Sequence, residues 1–297
     1  MTIRWGVSPI AWANDDMPEL GGDTTLQAIL TDVKDIGFDG VELGNKFPRD
    51  AATLKPIMAT YGLDIVGGWY SSSLLTRDAD AEIAAMADHL ELLEAMGSTV
   101  FILAETSNAV HGDRSSRLDI HPQLSEVEWA RFGERLDAVA AFVNARGLRF
   151  AYHHHLGTAV ETDAELRRFF TATGEHVGLV LDTGHACYGG IDPIRIVREH
   201  PGRVSHVHCK DVRSARHQAF YAKGTSFLDG VVGGMFTTPG DGDYEYGPFL
   251  DALADIDYSG WIVIEAEQDP GVADPRTYQQ LGLDTLKQLA RETGLVA

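Results

Sequence analysis

The chain has 297 residues, 44% of them hydrophobic, which is enough for one barrel-sized core or two smaller ones. Lysine and arginine number 24 against 44 aspartates and glutamates, and a net charge of -20 argues against nucleic acid or an anionic membrane as partner. Two cysteines, Cys187 and Cys209, are too few for a disulfide framework and suit a reducing cytoplasm; there is no signal-peptide pattern and no membrane-length apolar run.

Short apolar runs alternate with amphipathic segments along the whole chain, the pattern of repeated βαβ units. The first strand is expected over 4–9 and its helix over 24–36, stopped by Gly37. A strand over 40–43 precedes a helix over 50–61, and a strand over 63–67 precedes a helix over 79–96. The fourth strand, 99–104, leads to a helix over 125–146 that opens with Ser125 and Glu128 at capping-box spacing. Strands over 148–153, 177–181, 204–208 and 261–265 alternate with helices over 162–173, 192–200, 248–256 and 275–293. Eight such units predict a single (β/α)8 TIM barrel, one domain spanning 1–297. One connection, 211–247, is glycine-rich and too long for an ordinary loop. It falls on the face where barrel active sites lie and is read as a lid.

Chemistry-bearing residues collect at the C-terminal ends of the strands, which converge on one point in a barrel. The fifth strand ends in His153-His154-His155, the sixth in Asp182-Thr183-Gly184-His185, the seventh in His206-Val207-His208-Cys209-Lys210-Asp211 and the last in Glu265-Ala266-Glu267. The fourth ends at Glu105 and the second carries Glu42. Each motif alone admits a structural reading: a polar cap, a turn with Asp182 capping a helix, a buried histidine, an ion pair. Together they point to a divalent-metal site of histidine and carboxylate. Strand alternation puts His153 and His155 on one side, and His206 and His208 likewise. No GxGxxG or GxxxxGK[ST] pattern is present, so neither a dinucleotide nor ATP is expected.

These strand ends resemble the xylose isomerase-like barrel superfamily. Its pattern, carried over residue by residue, assigns metal ligands to Asp182, His208 and Glu265. The fourth position falls on His153, where the superfamily has glutamate; His153 binds directly, or His155 or Glu161 takes its place. Within the superfamily, Asn45 to Asp50, Gly68 to Ser71, His153 to Thr158 and Glu265 to Pro270 resemble the inosose dehydratases. That resemblance implies dehydration of 2-keto-myo-inositol, a cyclic polyol ketone, to a trihydroxycyclohexane-dione in inositol breakdown. It also implies a divalent ion such as cobalt or manganese, and an association with glutathione for which no residue marks a site. A keto-sugar isomerase or epimerase of the same superfamily is the alternative, and a homo-oligomer is compatible with either.

Dehydration needs a base for the proton beside the carbonyl, a cation for the enolate oxygen and an acid for the departing hydroxyl. Histidine suits the proton steps. His155 and His185 are the candidates, with Glu105 a third. Lys46 and Arg213 are expected to hold hydroxyls, and Trp69 to offer a flat apolar wall.

Overall fold

In the computed structural model, which describes residues 2–296, eight parallel strands close into a barrel. They are β1 (Ile3–Val7), β2 (Gly40–Leu43), β3 (Asp64–Ser72), β4 (Val100–Glu105), β5 (Arg149–His153), β6 (Gly178–Asp182) and β7 (Val204–Cys209). After a separate two-stranded antiparallel pair, β8 (Asp211–Val212) and β9 (Phe236–Thr237), comes the eighth, β10 (Gly260–Ile264). The order around the barrel is β1-β10-β7-β6-β5-β4-β3-β2. The helices are α1 (Leu26–Ile36), α2 (Ala51–Tyr61), α3 (Ala79–Ala85), α4 (Ala87–Met96), α5 (Glu126–Ala145) and α6 (Asp163–Ala172). They continue as α7 (Thr183–Tyr188), α8 (Pro193–Glu199), α9 (Ser214–Lys223), α10 (Phe227–Val232), α11 (Tyr246–Asp255) and α12 (Pro275–Glu292). The (β/α)8 expectation holds, and the two terminal residues of the expected 1–297 domain lie outside the described residues. Among the described residues no helix is long and apolar enough to cross a membrane.

Side-chain alternation divides each strand between two cores. Val66, Ile102, Ala151, Val180 and Val263 pack together inside the barrel. Their neighbours Ile65, Leu103, Tyr152, Leu179, Leu181, Ile262 and Ile264 join the larger layer between strands and helices. The helices begin and end by ordinary capping. Thr25 accepts from Ala28 N at the start of α1, Gly37 closes it at positive φ, and the Ser125–Glu128 capping box opens α5.

Four departures from the sequence reading have physical causes. β3 runs on to Ser72 because Gly67 and Gly68 are packing residues rather than a turn: a Cβ on Gly67 would lie 2.9 Å from the Val100 carbonyl oxygen of β4. The helix expected over 79–96 is two helices, broken at Met86, where good helix formers on both sides hide the break. A short helix, α7, that the sequence reading did not place follows β6, and Asp182 caps it, as the structural reading of that motif allowed. The 211–247 segment is a folded insertion rather than an irregular glycine-rich loop, holding α9, α10 and the β8–β9 pair. Its Phe227, Leu228, Val231 and Phe236 form a third core with Met17, Leu118 and Leu156 from neighbouring loops, above the C-terminal end of the barrel.

Gly133 tests the packing between α5 and α6. By propensity alone, alanine in mid-helix is favoured over glycine by about 1 kcal/mol. A Cβ at Gly133, however, would sit 2.0 Å from the Ala172 carbonyl oxygen, a backbone atom that cannot swing aside. Gly133→Ala is expected to destabilise by about 1–3 kcal/mol, as overpacking does. Thermal melting reads the sign: a raised Tm contradicts the packing argument.

Candidate metal centre and pocket

The strand parity that fills the barrel with Ala151, Val180 and Val263 carries upward to His153, Asp182 and Glu265, which therefore also point inward. On β7 the outward residues are Val207 and Cys209, so His206, His208 and Lys210 rise inward in three successive layers. Register completes the convergence: Asp182 pairs with His208, and His208 with Val263, two residues before Glu265.

One donor atom each from His153, Asp182, His208 and Glu265 lies within 4.8 Å of the other three. His153 Nε2 is 3.2 Å from His208 Nδ1, 3.8 Å from Asp182 Oδ2 and 3.9 Å from Glu265 Oε2. His208 Nδ1 is 3.7 Å from Asp182 Oδ2 and 3.2 Å from Glu265 Oε2. Four donors bound at about 2.1 Å around one ion stand about 3.4 Å apart in a tetrahedron, so the spacing fits a metal. The hydrogen bonds agree. His153 Nδ1 donates to the His154 carbonyl (2.7 Å), which leaves Nε2 bare. His208 Nε2 donates to Glu42 Oε1 (3.0 Å), turning Nδ1 to the cluster. Asp182 splits its oxygens: Oδ1 accepts from His185 N (2.9 Å), while buried Oδ2 has no hydrogen-bond partner. Two imidazole nitrogens and two carboxylate oxygens facing one point call for a cation. Burial pulls the His208 pKa down, yet Glu42 and Glu265 carry it well above the ordinary histidine range. For His153, burial and then the charge of His208 push the pKa far down, the state a ligand needs.

Glu42 and Lys210 brace the four donors from behind. Glu42 Oε1 also accepts from His206 Nε2 (3.0 Å); burial raises the Glu42 pKa, but the two histidines outweigh it and hold it at about 2. Lys210 is fully buried, its Nζ 2.9 Å from Glu265 Oε2, 3.2 Å from Glu267 Oε1 and 2.9 Å from His185 Nε2.

His155 and His185 stand beside the cluster with ring centroids 3.8 Å apart. His155 Nδ1 donates to the Leu156 carbonyl (2.6 Å), leaving Nε2 bare; His185 Nδ1 accepts from Leu156 N (3.3 Å). Burial first, and then positive neighbours, keep both rings neutral. Phe227 of the insertion roofs them, with centroids 5.0 Å from His155 and 6.0 Å from His185. Trp69 packs against His153 and His155 at 5.1 and 5.8 Å. A cavity of about 610 Å³ opens here, lined by Trp69, His155, His208 and Glu265 and also by Asp15, Asp16, Glu42, His111 and Glu267.

Three expected residues are not brought in. Glu105 has the parity of Leu103 and faces the helix layer, where Ser72, Leu74 N and Ser107 occupy its two oxygens. Lys46 donates to the Gly22 carbonyl (2.7 Å), outside the cavity lining. Arg213 ties the insertion together through Gly234 O, Thr237 and Asp241. Of the alternative fourth ligands, Glu161 accepts from Gly157 N and faces His121, and His155 belongs to the neighbouring group with His185 and Glu267. Glu42, Lys210 and Glu267 were passed over although parity marks all three; His111, Asp15 and Asp16 sit on loops, where no periodic signal exists.

The sequence profile of xylose isomerase-like TIM barrels matches residues 30–292. The rhizopine catabolism protein MocC of Rhizobium meliloti is 42% identical over 294 residues, covering 99% of this chain and 90% of that protein. The inosose dehydratase of Lacticaseibacillus casei is 40% identical over 281 residues, covering 94% of each. Among solved structures, an IOLI protein with a bound zinc atom superposes with a TM-score of 0.70 at 14% identity, covering 98% of this chain and 99% of that one.

Glu42→Gln is expected to keep the fold and weaken metal binding by about 10–100-fold, as loss of a ligand-orienting carboxylate does. Titration of the apoprotein against a competing chelator measures this. Unchanged affinity removes Glu42 from the site's support.

Proposed function

The chain belongs to the xylose isomerase-like TIM barrel family, and from that premise we propose that it is a cytoplasmic, single-domain, metal-dependent hydro-lyase converting 2-keto-myo-inositol to a trihydroxycyclohexane-dione. The observation that carries the reading is the adjacency of a four-donor cluster to a pair of neutral, buried imidazoles, in a chain 40% identical to an inosose dehydratase.

His153, Asp182, His208 and Glu265 would hold a divalent ion, which supplies Lewis-acid polarisation of the substrate ketone. Trp69 takes an apolar face of the ring, and the Phe227 roof keeps water from the proton-transfer groups. His155 presents its bare Nε2 and removes the proton from the carbon beside the ketone; the C–H electron pair becomes the new C=C bond. The hydroxyl on the next carbon leaves with its bonding pair and takes the proton that His155 has just accepted, forming water, while His185, whose nitrogens face Leu156 N and the Lys210 ammonium, stays neutral and positions the pair. The enol product ketonises to the dione, and His155 is left with Nε2 bare again. Two imidazoles among the four donors favour cobalt, manganese or zinc over magnesium. Nothing in this scheme requires glutathione.

Incubation of the cobalt- or manganese-loaded protein with 2-keto-myo-inositol should yield a product lighter by one water, read by mass spectrometry, and magnesium should support it poorly. A product of unchanged mass would instead identify an isomerase or epimerase. His155→Ala should keep the metal and lower kcat by about 10²–10⁴-fold, the usual loss for a general acid or base. His153→Ala should weaken metal affinity. Wild-type turnover in His155→Ala would remove it from the chemistry.

A further inference from the structure

The cavity has two unlike walls. Trp69, Leu43 and Ile102 form the apolar one. The other carries Glu267, with Asp15 and Asp16 from the loop after β1 at the mouth. Glu267 is 4% exposed; Lys210 holds its Oε1 at 3.2 Å, while its Oε2 is buried with no hydrogen-bond partner. His111 Nδ1, on the same lining, is likewise buried and unpartnered. Orphaned polar atoms of this kind are costly unless something fills their bonding capacity. Among the described residues no lysine or arginine lines the cavity. The ammonium of Lys210 lies behind the lining, engaged by Glu265, Glu267 and His185.

A carboxylate oxygen only accepts hydrogen bonds, and hydroxyls donate to it strongly. An anionic group brings only acceptors and meets like charge. The apolar wall suits the C–H face of a flat ring, and the acidic wall suits its hydroxyl edge.

We propose that Glu267, together with Asp15 and Asp16, is a charge filter: it accepts hydrogen bonds from the hydroxyls of an uncharged polyol and rejects ring compounds bearing a carboxylate or phosphate. This rests on the reading of the same pocket as the dehydratase site. It adds which residues set the substrate class, and why anionic hydroxylated rings are refused by a barrel able to do the same elimination.

The test uses one ring carried as a neutral ester and as a carboxylate. Calorimetric titration of the metal-loaded protein at pH 8.5, above the range in which burial keeps part of Glu267 protonated, compares methyl shikimate, which is neutral, with shikimate, its carboxylate. The wild type should bind the ester about 30-fold more tightly, the ratio expected for like charges several ångströms apart near a protein surface. Any coordination of the carboxylate to the metal works against this result, so the comparison is conservative. Glu267→Gln should bind the ester more weakly and narrow the ratio to about 5-fold or less. Asp16→Asn, at the exposed mouth, should narrow it partially with the fold undisturbed, so the test survives if Glu267→Gln fails to fold. Metal content of each variant, read by elemental analysis, shows that the cluster is intact. Equal binding of the two probes by wild type, or a ratio unchanged in both variants, overturns the filter. Turnover of 2-keto-myo-inositol on the same wild-type sample separates the two ideas. Turnover without discrimination sinks the filter alone, and discrimination without turnover sinks the dehydratase reading alone.

Discussion

Lys210 sits at zero exposure with Glu265 and Glu267 on its ammonium and Asp182 3.7 Å away. Three carboxylates at this depth cannot all be ionised without compensation, and removing one partner of such a buried pair costs about 3–5 kcal/mol. Much of the surrounding sequence serves that balance. Thr183 Oγ1 bridges to the backbone of Lys210 and to Tyr246. Gly184 has no side chain because the lysine stem runs past it, its Cγ 2.7 Å from where a Cβ would be. Burial lifts the pKa of Glu267 to about 7 and of Asp182 to about 6, in each case against the pull of Lys210. Lys210 meets part of the negative charge. The remainder, shared by Asp182 and Glu265, faces His153 and His208, where the metal fits.

The barrel and the four-donor cluster were legible for one reason: both follow from a period of two. Once Ala151, Val180 and Val263 are taken as interior, His153, Asp182 and Glu265 must point inward at the upper rim. The same count applied to β4 would have turned Glu105 outward with Leu103, and applied to β7 would have placed Lys210 inward above His208. Glu105 was judged by its position at a strand end rather than by its parity, and Lys210 was passed over among more conspicuous histidines. Parity is silent beyond the strands. His111, Asp15 and Asp16 reach the cavity from loops, and Lys46 and Arg213 are loop cations whose partners depend on tertiary contacts. The secondary structure inside the insertion went unread because its helices are short and its glycines frequent, while its stability comes from a core shared with Met17, Leu118 and Leu156, far apart in sequence.

That shared core also sets the electrical character of the site. Leu118 N donates to Thr225 O (2.9 Å), joining the loop after β4 to the insertion, and Arg114 spans from Asp229 to Glu19. Three separate loops are thereby tied into one cover whose apolar underside, Phe227 and Phe236, rests on His155 and His185. Beneath such a cover charges interact more strongly than in water, and imidazoles stay neutral. Strand parity, which any barrel of this fold obeys, supplies the floor of four converging donor groups. What separates one chemistry from another on a common barrel must lie in the parts that parity does not dictate. In this chain those parts are the insertion over His155 and His185 and the loop after β1 that brings Asp15 and Asp16 to the cavity. On the proposed reading the loops set the specificity, while the strands hold the positions from which an ion would act.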